Sequence, residues 1–218
     1  MKNKRKERGK FITFEGTEGS GKSTQIQLSI EFLQSKGFSV VFTHEPGGTR
    51  IGERIRDILL KKEYKEMDDY CETFLFFASR AQLIKEVINP ALSEGKIVLC
   101  DRFLDATICY QGYGNGIDIE FIHQMSRFID IKPDLTILLD IEPEEGLKRL
   151  REKDRIEERD LGYYQRVRRG YLELAKREPR RIKVIKVEGV EKTRKRIEET
   201  LREFLLLPRE DEKGDRGV

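Results

Sequence analysis

The chain has 218 residues, 37% hydrophobic and 38% charged, with 43 Lys and Arg against 40 Asp and Glu. That length suits one domain, or one with an inserted lid, and no apolar run approaches the roughly 18 residues a membrane-spanning helix needs. Six Lys or Arg and one Glu fall in the first ten residues, so a net charge of +3 for the chain leaves the remainder at −2, which argues against a basic nucleic-acid-binding body.

The opening MKNKRKERGK is basic but lacks the apolar core of a signal peptide, so export is not expected and residues 1–9 read as a solvated, disordered leader. The first apolar run, FITFE at 11–15, is a candidate buried strand, and the turn that follows it leads into a helical pattern over 22–36. SVVFTH (39–44) is the second strand, and helical patterns cover 49–62 and 69–94. KIVLCD (96–101) and DLTILLDI (134–141) are the third and fourth strands, with a helical pattern at 118–130 between them. Helices over 143–152 and 162–177 precede the fifth strand, IKVIKV (182–187), and a last helix covers 191–205.

These strands are rich in Val, Ile, Leu and Phe rather than strictly alternating, as expected of parallel strands covered on both faces. The expected fold is therefore α/β, a five-stranded parallel sheet flanked by helices on both faces. In such sheets ligands bind beyond the carboxyl ends of the strands. Residues 10–206 are expected to form the single domain, and 207–218 a polar tail. Cys71, Cys100 and Cys109 are odd in number and without CxxC spacing, which fits a reducing cytoplasm and argues against disulfide or metal roles.

The most specific single motif is Gly16-Thr17-Glu18-Gly19-Ser20-Gly21-Lys22-Ser23, which fits GxxxxGKS directly after a strand and at the start of a helix. Its glycines let the backbone turn amides toward phosphates, and the helix N-terminus adds positive potential. Gly16 to Thr24 is accordingly the expected ATP-binding loop, with Lys22 reaching the β- and γ-phosphates and the Ser23 hydroxyl ligating Mg²⁺. Two strands end in aspartate, Asp101 and Asp140. Asp140 runs into EPEEGLKR, where capping or turn structure explains it. Asp101 is followed at once by Arg102, which sets an anion ligand beside a metal-organising acid, so Asp101 is the expected second magnesium residue.

Taken together, EGTEGSGKST, EPGGTRIGERIRDILL (45–60), FLFFASRAQL (74–83), DRFLDATICYQG (101–112) and LDIEPEEGLKRLREKDRIEERD (139–160) resemble the bacterial thymidylate kinase family over roughly residues 10–205. The resemblance implies a P-loop kinase fold with a short lid at about 147–162, ATP and dTMP as substrates, and a homodimer built through long helices such as 69–94 or 118–130. It casts Phe76 as the residue stacking on thymine and Arg80 as the donor to its O4. Since Phe74, Phe76 and Phe77 cannot all face a ligand, some of them belong to the core. Arg102 matches the arginine that contacts the monophosphate, Thr107 the position that reads the base edge, and Tyr110 the ring against the sugar. Gln111 falls near the same pocket. The Pro46-Gly47 turn matches the wall near the acceptor phosphate, which Arg56 is placed to reach. Two positions depart from the common pattern: His44 stands where many relatives have arginine, and Ala106 where they often have serine.

Phosphoryl transfer spreads negative charge that a cation must complement, and the loop spacer Thr17 to Ser20 has no arginine. Residues 147–169 contain Lys148, Arg149, Arg151, Lys153, Arg155, Arg159, Arg166, Arg168 and Arg169, mostly expected on a solvated helix face. Arg149, Arg151 and Arg155 are the expected catalytic cations, joining Lys22, Arg102, Asp101 and Glu18. For Glu18, an acid in an anion-binding loop, the resemblance implies a place near the acceptor 3′-hydroxyl and the magnesium. The competing functions are another nucleoside monophosphate kinase or a P-loop ATPase or GTPase switch. A switch is disfavoured by the lack of an NKxD motif and would leave Phe76, Arg80 and Arg102 without a task.

Overall fold

The computed structural model describes residues 8–129 and 131–208. Five parallel strands, β1 (Phe11–Glu15), β2 (Val40–His44), β3 (Ile97–Asp101), β4 (Leu135–Asp140) and β5 (Ile182–Lys186), form one sheet in the order β2-β3-β1-β4-β5. All five expected strands are present, each within a residue or two of its expected bounds.

Alternation along each strand divides the core into two layers. Ile12 and Phe14 of β1, Ile97 and Leu99 of β3, and Leu135, Ile137 and Leu139 of β4 pack on one face against α1 (Lys22–Ser35) and α9 (Val190–Phe204). On the other face, Phe11, Val98 and Cys100 meet Leu83 of α3 (Asp69–Leu83) together with Ala91 and Leu92 of α4 (Asn89–Ser93). Between α3 and α4 the chain stays helical through a π-helical stretch, Ile84–Ile88, so the expected helix over 69–94 is one rod with a widened turn. Among the described residues no helix is long and apolar enough to cross a membrane.

Three expectations shift. No helix was expected between the third strand and residue 118, yet α5 (Leu104–Thr107) runs into a π-helical segment, Ile108–Gly114. The helix expected over 118–130 is shorter, α6 (Ile119–Ser126), capped by the Asp118 carboxylate on the Glu120 amide. The helix expected over 143–152 stops early as α7 (Pro143–Leu147). Beyond Leu147 only Leu150 is apolar before Ile156, so no stripe exists to bury. The chain then turns to Asp160, whose carboxylate caps α8 (Leu161–Arg177) on the Tyr163 amide. Of the expected leader 1–9, residues 1–7 lie outside the described residues. Gly9 is buried, and its amide donates to the Leu92 carbonyl. Most of the expected tail, 209–218, also lies outside them.

Candidate active site

Because β1 and β3 are neighbours, with Phe14 opposite Asp101, the loops that follow them share one edge of the sheet. After β1, Gly16, Gly19 and Gly21 take φ values of 142°, 65° and 85°, which only glycine adopts freely. A Cβ on Gly19 would lie 2.1 Å from the Gly146 carbonyl oxygen, so the loop also needs glycine to approach α7. Helix α1 starts behind Gly21 with no side-chain cap and no acid in its first turn, which leaves its amides and dipole to an anion. The Thr17 and Ser20 hydroxyls are buried without a partner among the described residues.

Lys22 is buried, and its Nζ donates to the carbonyls of Gly16 (3.1 Å) and Thr17 (3.2 Å). Burial, reinforced by Arg102, pushes its ammonium pKa down. Ser23 and Thr24 are exposed on the first turn of α1. Asp101 ends β3 with its Oδ1 buried and unpartnered among the described residues. A magnesium ion that travels with phosphates needs only one or two carboxylates beside its waters, and this orphaned oxygen, with the Ser23 hydroxyl, suits that donor set. Among the described residues no group of three or more His, Cys, Asp or Glu forms a dedicated metal cage. Asp140, expected to be structural, grips Arg168 through two hydrogen bonds of 2.7 and 3.1 Å.

Arg102 adopts φ 67°. Its own amide donates to Phe14 (3.0 Å), and the next amide, Phe103, donates to the Glu15 carboxylate (2.8 Å). From this bend its guanidinium donates to the Gly16 carbonyl (2.9 Å) and to Glu18 Oε1 (2.9 Å), and lies 4.8 Å from the Tyr110 ring centroid. The Tyr110 hydroxyl donates to the other Glu18 oxygen. Glu15 is fully buried and accepts from the Tyr171 hydroxyl (2.7 Å). Burial, with Asp105 nearby, pushes its pKa up to about 8.

Beside the loop opens a cleft, a concave surface of the kind on which small-molecule sites form. Every residue expected on the acceptor side lines it: Glu18, Pro46, Arg56, Phe76, Arg80, Arg102, Thr107, Tyr110 and Gln111. The three phenylalanines separate cleanly, Phe77 into the core, Phe74 to solvent and Phe76 to the cleft. Arg80 is 1% exposed. Its Nε and Nη2 donate to Glu45 and Nη2 also to the Thr107 hydroxyl (2.8 Å), while Nη1 has no partner among the described residues. Arg56 donates to the Pro46 carbonyl (2.9 Å). Gly47 and Gly48, at φ 131° and 74°, serve the tight turn behind Pro46. His44 is engaged with Glu53 at 3.0 Å.

The chain matches the family described as thymidylate kinase over residues 14–197. It is 50% identical to the thymidylate kinase of Pelotomaculum thermopropionicum over 91% of this chain and 97% of the relative. With that of Kosmotoga olearia the figures are 48%, 90% and 95%. The crystal structure of thymidylate kinase from Ehrlichia chaffeensis superposes with a TM-score of 0.75 at 36% identity, covering 89% of this chain and 99% of that one.

The chain belongs to the thymidylate kinase family.

Within this thymidylate kinase family member, the three arginines expected to serve catalysis part company. Arg149 donates to the Gly19 carbonyl of the phosphate loop (3.0 Å), and Arg151 is exposed. Arg155 is buried away from the loop, donating to Glu72 (2.6 Å) and to the Leu59 carbonyl (2.8 Å). The cause is Glu72, a fully buried carboxylate that requires a cation. Sequence reasoning missed Glu15, Glu45 and Glu72, which hold site residues from behind, and Asp154 and Glu157, which line the cleft. Burial raises the pKa of both lid acids. One signal was available: Glu72, Phe76 and Arg80 are spaced four apart on α3 and so share a face.

Since the Glu15 pKa rises from 4.5 to about 8 on folding, the folded chain keeps a proton that the unfolded chain releases. The contribution of Glu15 to stability therefore falls as pH rises through that window. Glu15→Gln keeps an acceptor for Phe103 and cannot ionise. Urea unfolding at about pH 5 and about pH 8.5 should show the variant gaining on the wild type at the higher pH; a difference that does not change with pH would contradict this.

Proposed function

We propose that the chain transfers the γ-phosphoryl group of Mg-ATP to the 5′-phosphate of dTMP, with ATP on the phosphate loop and dTMP in the adjoining cleft. The observation that carries this reading is the convergence of all nine expected acceptor residues on one cleft that the phosphate loop itself borders through Glu18. Thymine lies against Phe76, and its O4 accepts from Arg80, whose Nη1 has no partner among the described residues. Tyr110 occupies the space a ribose 2′-hydroxyl would need, which favours a deoxynucleotide. Arg102, with Arg56, binds the acceptor phosphate.

In the reaction an acceptor phosphate oxygen attacks the γ-phosphorus as the bond to the β–γ bridging oxygen breaks, giving dTDP and ADP. The acceptor phosphate has a second pKa near ~6 and is already a competent nucleophile at neutral pH, so no general base is needed. Lys22 exchanges its bonds to Gly16 and Thr17 for phosphate oxygens, and Arg102 and Arg149 complement the equatorial charge of the transferring group. Ser23 and Asp101 would hold magnesium, which would supply charge neutralisation for the phosphates. The lid excludes water that would otherwise hydrolyse ATP.

We also propose that two copies associate through the faces of α3 and α6. Tyr70 and Phe74 on α3 are 48% and 47% exposed, and both meet Phe121 of α6 edge-on, an apolar patch suited to a second copy. Light scattering should give twice the monomer mass; a monomer at micromolar concentration would contradict the assembly. A panel of monophosphates in a coupled ADP-release assay tests the reaction. Turnover should be fastest with dTMP, and equal or faster turnover with a purine monophosphate would overturn the acceptor assignment.

A further inference from the structure

Glu72 is 0% exposed and lies outside the lining of the cleft, yet every donor it accepts from belongs to a segment that shapes the site. Its Oε1 accepts from Gln111 Nε2 (2.9 Å), inside the π-helical segment that carries Tyr110, and from Asn115 Nδ2 (3.2 Å), which caps that segment. Its Oε2 accepts from Arg155 Nη2 (2.6 Å) and Arg159 Nη2 (3.2 Å), both in the lid segment. An ionised carboxylate offers about four lone-pair directions, and here all four are taken, two from each side. The cluster closes on itself, since Arg159 Nη1 also donates to the side-chain Oδ1 of Asn115 (2.6 Å). It is anchored to α2 (Arg50–Leu60) through the bond from Arg155 Nε to the Leu59 carbonyl.

Two consequences follow from this chemistry. A carboxylate can only accept, so Glu72 fixes the end of the Gln111 amide that points toward it, and thereby the end available to the cleft that Gln111 lines. The same carboxylate gathers Arg155 and Arg159, which flank Ile156 and Glu157 on the opposite wall of that cleft. Removing either set of donors leaves the other facing an incompletely compensated buried charge, so the two walls are not independent.

We infer that Glu72 is a positioning residue for the acceptor, which sets the base-facing amide and the lid wall together, so that acceptor affinity depends on lid arginines that do not themselves line the cleft. The inference rests on dTMP occupying that cleft. It is tested by steady-state kinetics of Glu72→Gln, Arg159→Met and the double variant, with both substrates varied. Each single change should raise the KM for dTMP about tenfold while the KM for ATP stays within about twofold. The double variant should be no worse than the more severe single one, because both changes break one cluster. Arg159→Lys, which keeps one donor, should recover most of the loss. A wild-type KM for dTMP in a folded variant, equal rises in both KM values, or multiplicative effects in the double variant would overturn the inference. If Glu72→Gln does not fold, Arg159→Met still decides, because Arg155 continues to compensate the buried carboxylate. A wild-type enzyme that does not turn over dTMP would instead sink the acceptor assignment itself.

Discussion

The left-handed bend at Arg102 is the constraint on which the rest of the site depends. A non-glycine residue at φ 67° costs roughly 1–2 kcal/mol of backbone strain. The bend is held by hydrogen bonds on both sides, Arg102 to the Phe14 carbonyl and Phe103 to the Glu15 carboxylate. From that backbone the guanidinium turns back over the loop after β1, to reach Gly16 and Glu18. The Arg102–Glu18 pair, with side chains 18% and 9% exposed, sits where water screens it less than at an open surface. It joins the phosphate loop to the wall of the adjoining cleft, which Glu18 and Arg102 both line.

The same device recurs at two other buried acids, Glu45 and Glu72. Glu15 steadies the backbone under Arg102, Glu45 takes the Nε and Nη2 of Arg80, and Glu72 collects Arg155 and Arg159. Glu45 shows the balance of terms: burial raises its pKa even though Arg80 opposes the shift. An arginine meant to present one edge to a ligand needs its other edge fixed, and a buried carboxylate does this while compensating the charge. Arg80 illustrates the result, with Nε and Nη2 committed and Nη1 buried without a partner among the described residues.

Much of this fold is legible in the sequence because both faces of the inner strands are covered, so IVLC of β3 and ILL of β4, buried throughout, stand out as apolar runs. The 104–114 helix is not legible, since Gly112 and Gly114 read as breakers, and its π-helical geometry depends on packing against Tyr163 and Val167. Motif resemblance finds nine of the residues that line the cleft, but not Glu45, Asp154 and Glu157, which also line it, nor Glu15 and Glu72 behind them. A glutamate in FITFE reads as a strand-end charge, and nothing local announces that it is buried, while Glu72 in DYCETFLF is marked only by its four-residue spacing to Phe76 and Arg80. Arg155 goes astray for the matching reason. Its partner Glu72 is 83 positions away, so a lid arginine and a structural arginine look alike in sequence.

One loop facing two substrates is the central claim, with Lys22 turned to the donor and Glu18 to the acceptor. Initial-rate kinetics of Glu18→Ala, with ATP and dTMP varied independently, test it most directly. The account predicts a raised KM for dTMP or a lowered kcat, with the KM for ATP close to the wild-type value. An unchanged enzyme, or one that loses affinity for ATP alone, would contradict it.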